Sequence, residues 1–134
     1  MKTTPIASIM TRDVVCVSPH QKILDIKHIY EKKDFHHHIP VTKDGDLVGI
    51  ISLVDFMYRI KGAGLDDSDS VYTTLNAGDI MTSSPVTLVP ESTIEEAADI
   101  FAQGRYRALP IVENKAIVGI VTTADIIHYY LHKD

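Results

Sequence analysis

The chain has little cysteine: Cys16 stands alone, which excludes an intramolecular disulfide and any cysteine-rich zinc site. It has no excess of positive charge. The net charge is −5 with histidine neutral, so the electrostatic footprint of a nucleic-acid polymer or anionic-membrane binder is missing, although a local basic pocket for one small anion is compatible with it. No apolar run approaches membrane-spanning length, and the opening Met1-Lys2-Thr3-Thr4-Pro5 lacks the apolar core of a signal peptide. These absences predict a cytoplasmic protein without membrane contact. There is no Gly-x-Ser-x-Gly, no P-loop, no metal-ligand helix and no paired catalytic acid and base, so an enzyme is not expected. What remains is ordinary: 134 residues, 45% apolar and 23% charged, suit one compact domain.

The informative feature is internal repetition. Ile9-Met10-Thr11 returns as Ile80-Met81-Thr82, and Val48-Gly49-Ile50-Ile51-Ser52-Leu53-Val54-Asp55 returns as Val118-Gly119-Ile120-Val121-Thr122-Thr123-Ala124-Asp125. Pro19 matches Pro90, Ile23 matches Ile94, Ile29 matches Ile100 and Pro40 matches Pro110. Two copies at so long a period cannot stack as a solenoid, and they read instead as two half-domains that share burial.

Each half carries the same order of signals. A short apolar segment (6–10, 77–81) leads to a strand (Val14 to Val17, Val86 to Val89) that a proline stops at Pro19 or Pro90. A helix follows with Ile23, Ile26, Ile29 and Tyr30, or Ile94, Ala97, Ala98 and Phe101, at helical spacing. Ser92-Thr93-Ile94-Glu95 has capping-box spacing at its start. Two strands flank Asp44-Gly45, a strong hairpin signal, and Asn114-Lys115, a weaker one. A last helix opens near Ser52 or Thr122, the first of these ending at Gly62 and Gly64. The expectation is an α+β fold of two β-α-β-β-α repeats, residues 6–60 and 77–131, joined by a linker over 61–76 whose Asp66-Asp67-Ser68-Asp69-Ser70 run is a solvated loop.

This order resembles a tandem pair of cystathionine-β-synthase (CBS) domains. The residues that carry the resemblance are Asp79-Ile80-Met81-Thr82, the run from Pro85 to Pro90, Leu109-Pro110-Ile111-Val112, and Gly-hydrophobic-hydrophobic-Ser/Thr-x-x-Asp in both halves. The resemblance implies a pseudo-two-fold pair that acts as a regulatory module, binds adenosine-containing ligands in clefts between the repeats, and signals to a partner protein. It also implies a stand-alone pair here, assembled as a homodimer through an apolar helical face of Phe56, Met57, Ile60, Ile127, Tyr129 and Tyr130.

Candidate ligand residues follow from chemistry and from the resemblance together. Ser52-x-x-Asp55 and Thr122-x-x-Asp125 have the spacing of plain helix capping boxes. A helix N-terminus also favours phosphate, and a nearby carboxylate can accept both hydroxyls of a ribose. The resemblance assigns Asp55 and Asp125 to the ribose and Ser52 and Thr122 to the phosphate neighbourhood. It makes His37 and Arg107, each three residues before a strand proline, phosphate contacts, with Arg105 a further basic position. It pairs Asp55 with Arg107 and Asp125 with His37. Val54 and Ala124 stand where the family's better nucleotide binders often carry a second hydroxyl, which points to AMP ahead of ADP or ATP, with S-adenosylmethionine or NAD as alternatives. A ligand-free dimerisation scaffold is the competing reading. No required cofactor and no metal are expected: His36-His37-His38 supplies no fixed third ligand, and Cys16 reads as core.

Overall fold

The computed structural model describes residues 3–32 and 37–133. Six α-helices and five strands are found there: α1 (Ile23–Tyr30), β1 (His38–Lys43), β2 (Asp46–Ser52), α2 (Leu53–Arg59), α3 (Val71–Thr74), α4 (Ala77–Ile80), β3 (Thr82–Ser83), α5 (Ile94–Ala102), β4 (Ala108–Glu113), β5 (Ala116–Thr122) and α6 (Thr123–His132). A 3-10 turn over Ile6–Ser8 precedes them. The chain forms two compact units. One is continuous, Val15–Ser84; the other is split, joining the residues up to Val14 to those from Pro85 onward.

The split is a consequence of where the Ile-Met-Thr segments dock. In the split unit Ile6 donates its N–H to Ser92 O (2.6 Å), and Thr11 exchanges both backbone bonds with Ile120 at 2.9 Å. In the continuous unit Ala77 donates to Gln21 O (2.7 Å), and β3 pairs antiparallel with β2 at Gly49 and Ile50. So the segment that precedes each repeat in sequence packs with the other repeat. The glycines of the two Val-Gly-Ile motifs are explained by this docking. A Cβ on Gly119 would lie 2.8 Å from Met10 Cγ and 3.0 Å from Thr11 O, and one on Gly49 would lie 2.9 Å from Met81 Cγ and 3.0 Å from Thr82 O.

Within each unit a hairpin forms the platform for two helices. β1 pairs with β2 and β4 with β5, with the register slipping at the equivalent places Val41/Thr42 and Ile111/Val112. Both turns hold two residues at positive φ, Asp44 (52°) with Gly45 (87°) and Asn114 (52°) with Lys115 (70°). The weaker sequence signal therefore makes the same turn as the stronger, with Lys115 in a backbone region that favours glycine. Ile23, Ile26, Ile39, Val41, Ile51, Phe56 and Tyr72 form one core; Ile6, Ile94, Ala97, Leu109, Ile111, Val121 and Ile126 form the other.

Four expectations change. The strands expected at Val14–Val17 and Val86–Val89 reduce to single parallel bridges, Val17 to Val41 and Leu88 to Ile111. Each bridging residue uses both its N–H and its C=O, but Pro19 and Pro90 stop the ladder, and Val15 and Val86 face solvent. The cap of α5 is Thr93 rather than Ser92: Thr93 Oγ1 accepts from Glu96 N–H (3.1 Å), while Ser92 Oγ turns back to accept from Val89 N–H. The stretch 61–76 is folded. Tyr72 of α3 is fully buried, stacks on Phe56 at 6.4 Å, and donates its hydroxyl to Gly64 O at 2.6 Å. Asp67, in the run expected to be merely solvated, bonds Lys27 Nζ (2.6 Å) and His28 Nε2 (2.7 Å). Lys27 is 4% exposed and also bonds Glu31, and these two carboxylates hold its pKa raised despite the burial. Finally, Phe56, Ile60 and Tyr129 pack against the cores, so the apolar helical surface narrows to Val54, Met57 and Tyr58 on α2 and Ile127, Tyr130 and Leu131 on α6. Cys16 is half-buried, and that burial raises its thiol pKa.

Gly119→Ala is expected to lower stability by about 1–3 kcal/mol, the usual cost of overpacking. Combined with Met10→Ala, it should cost less than the sum of the two single changes. Urea unfolding of the four proteins checks this; full additivity would separate Gly119 from Met10.

Candidate functional site

The two candidate sites lie where a strand passes directly into a helix. β2 ends at Ser52, whose extended backbone (φ −93°, ψ 159°) leads into α2; β5 ends at Thr122 (φ −119°, ψ 167°), which leads into α6. The first amides of a helix have no partner inside it. Ser52 Oγ accepts from Asp55 N–H at 3.0 Å, and Asp55 Oδ2 accepts from Ser52 N–H at 3.3 Å. Thr122 Oγ1 accepts from Asp125 N–H at 3.3 Å, and Asp125 Oδ2 accepts from Thr122 N–H at 2.8 Å. Both are complete capping boxes. Each box engages oxygen Oδ2 of its carboxylate, and all four residues remain partly exposed.

The basic residues before the strand prolines take part through their main chains. His37 O accepts from Leu53 N–H (2.7 Å), and Arg107 O accepts from Thr123 N–H (3.0 Å). The first amide of each helix is thus satisfied by the residue just ahead of the adjacent strand. The pairings His38 to Ser52 and Ala108 to Thr122 fix this geometry. The side chains of His37, Arg105 and Arg107 are exposed. In the continuous unit the structure brings His37, Ser52 and Asp55 together; in the split unit it brings Arg107, Thr122 and Asp125 together, with Arg105 two residues upstream. The expected pairs Asp55 with Arg107 and Asp125 with His37 each take one residue from either unit. His36 lies outside the described residues.

One neighbour escaped the sequence reading as a site residue. Tyr30, at the end of α1, donates its hydroxyl to His37 O at 3.4 Å and packs its ring edge-on to Phe56 at 5.2 Å. Burial, and then the charge of Asp55, raise its phenol pKa, so the hydroxyl keeps its proton. The second repeat has no counterpart: the residue equivalent to Tyr30 is Phe101, which has no hydroxyl. The two sites are therefore chemically unlike.

Comparison with known proteins now settles the lineage. The CBS-domain family signature matches residues 6–62 and 77–132. The chain belongs to the CBS-domain family. It is 31% identical over 117 residues to the CBS domain-containing protein YhcV of Bacillus subtilis, covering 87% of this chain and 79% of YhcV. It is 30% identical over 126 residues to an inosine-5′-monophosphate dehydrogenase of Korarchaeum cryptofilum, covering 93% of this chain but 24% of that enzyme. A CBS pair is thus a part of some larger proteins. Among solved structures, CBSX2 in complex with AMP matches with a TM-score of 0.78 and 25% identity over 95% of this chain and 96% of that one; CBSX2 is a CBS-pair protein of Arabidopsis thaliana. Among the described residues, no helix of this CBS pair is long and apolar enough to cross a membrane.

Ser52→Ala and Thr122→Ala are each expected to lower stability by about 1 kcal/mol, the ordinary cost of losing a hydroxyl N-cap. Urea denaturation measures it. Unchanged midpoints in both variants would contradict the boxes as drawn.

Proposed function

We propose that this CBS pair is a regulatory module that binds an adenosine-containing ligand, AMP first and ADP or ATP after it, and catalyses nothing itself. One observation carries the reading: both repeats place the same hydroxyl–carboxylate box at a strand-to-helix switch, beside the backbone of a basic residue. In this reading the carboxylate oxygen outside each box takes the ribose hydroxyls, so Asp55 and Asp125 hold the sugar. Ser52 and Thr122 lie toward the phosphate, which Arg107, Arg105 and His37 neutralise. The planar guanidinium of Arg107 can grip a phosphate with two bonds, whereas the His37 imidazole cannot. The ten-residue α6 presents a fuller helix dipole to an anion than the seven-residue α2. That CBSX2 was solved with AMP supports adenosine as the ligand class.

The module is proposed to work as a homodimer that passes its ligand state to a downstream protein. Met57 and Ile127, 59% and 60% exposed, stand with Val54, Tyr58, Tyr130 and Leu131 as large apolar side chains on helical surface, and surface of that kind marks interfaces. Val54 and Ala124, in place of a second hydroxyl, favour AMP over ligands with longer phosphate chains.

The test is a thermal-shift series with AMP, ADP, ATP, S-adenosylmethionine and NAD. A ligand at a hundred times its dissociation constant stabilises the folded state by about 2.7 kcal/mol, which for a chain of this size raises the melting temperature by roughly 3–6 °C. AMP is expected to give that shift; Asp55→Ala and Asp125→Ala each lose the carboxylate of a capping box, about 1 kcal/mol of stability, and are expected to lose more than that, about 1.5–3 kcal/mol, in AMP affinity. A shift with S-adenosylmethionine or NAD alone would redirect the assignment to that ligand. No shift with any compound at millimolar concentration would leave the ligand-free scaffold.

A further inference from the structure

The exposed end of α6 carries two histidines that the adenosine reading does not use, and their placement departs from the expectation that no helix of this chain bears metal ligands. His128 and His132 are four residues apart on one helix face, both exposed, with ring centroids 4.3 Å apart and planes tilted by 36°. His132 Nδ1 lies 2.9 Å from His128 O. A carbonyl oxygen can only accept, so Nδ1 carries the hydrogen and, in the neutral ring, Nε2 keeps a lone pair for a ligand. A ring nitrogen donating to a backbone carbonyl while the other stays bare is the arrangement that orients histidines toward metal ions. Imidazole pairs at this helical spacing can close on one ion, as the histidines of zinc-binding helices do. We propose that His128 and His132 form a two-imidazole site for a divalent transition-metal ion: Cu2+, Ni2+ or Zn2+.

The choice of ion class follows from the donors. Neutral imidazole nitrogens suit these ions, whereas Mg2+ and Ca2+ demand oxygen ligands. Two protein ligands leave the remaining positions to water, so affinity should rank Cu2+ above Ni2+ and Zn2+. The nearby cation, Lys133, lies over the Tyr130 ring at 5.0 Å. The contrast with the other cluster of metal-ligating groups is instructive. His28, Glu31 and Asp67 also converge, but Glu31 and Asp67 are already bonded to the Lys27 ammonium at 2.7 and 2.6 Å, so a metal ion would have to displace a buried cation. Among the described residues, no carboxylate or ammonium bonds His128 or His132. A bound ion would tie together the last turn of α6, the turn that also exposes Tyr130 and Leu131. This inference does not depend on nucleotide binding.

The experiment is calorimetric titration of the full chain with Ni2+, alongside paramagnetic broadening of the amide signals by the same ion. Wild type should bind one ion with broadening centred on residues 128–132. His128→Ala and His132→Ala should each weaken binding at least tenfold, since chelation needs both rings, while leaving the melting temperature without metal unchanged. A His36→Ala/His38→Ala variant, which removes other candidate imidazoles, should keep the site. The proposal is overturned by absence of binding at millimolar Ni2+, by broadening centred elsewhere, by loss on only one of the two single substitutions, or by loss in the His36→Ala/His38→Ala variant.

Discussion

Amide donors at the start of a helix must find acceptors outside it, and the way this chain meets that requirement organises the rest of the structure. At both strand-to-helix switches the third amide is taken by a hydroxyl, the first by the carbonyl of His37 or Arg107, and the cap residue's own amide by an aspartate. The carbonyl contribution ties the helix to the strand entry before Pro40 or Pro110, and so sets where the basic side chains stand. The aspartate contribution holds Asp55 and Asp125 in a fixed posture at a polar, partly exposed turn. A carboxylate held in advance loses little freedom when a ligand arrives. The capping role and the proposed binding role are therefore two uses of one geometry.

The elements were legible in the sequence wherever local chemistry decides. Ile23 with Ile26 and Ile94 with Ala97 mark buried helix faces, Asp44-Gly45 marks a two-residue turn, and Ser52-x-x-Asp55 and Thr122-x-x-Asp125 mark caps. What was not legible depends on long-range packing. Ile9-Met10-Thr11 and Ile80-Met81-Thr82 look alike in sequence, and nothing local says that the segment ahead of each repeat joins the core of the other. Tyr72 is one aromatic residue in an acidic, serine-rich stretch, and it is long-range contact, with the Phe56 ring and the Lys27 ammonium among others, that makes 61–76 part of the fold. The runs Val14–Val17 and Val86–Val89 have strand composition, yet prolines confine them to one paired residue each. For the candidate site, both boxes were readable from spacing; the Tyr30 hydroxyl above His37 O was not, because its ring follows the apolar helical pattern like any core aromatic.

Duplication fixed a common frame and left the two copies free to differ. His37 stands against Arg107, Tyr30 against Phe101, Ser52 against Thr122, and Gly45 against Lys115. The hydroxyl and carboxylate positions are kept while the basic group and the nearby ring change. That distribution predicts two sites of one kind with different anion strength, rather than two interchangeable sites. It also leaves the α6 end, with its paired imidazoles, as a feature of the second repeat alone: Tyr58 occupies the place equivalent to His128.

Backbone hydrogen exchange with and without saturating AMP tests the central claim most directly, because the amides concerned are named and their acceptors known. The account predicts slower exchange on adding AMP at the first turn of α2 (Leu53 and Asp55), of α6 (Thr123 and Asp125), or of both, with little change in the α1–α3 packing around Tyr72. Unchanged exchange at both turns, or protection confined to residues away from them, would contradict it.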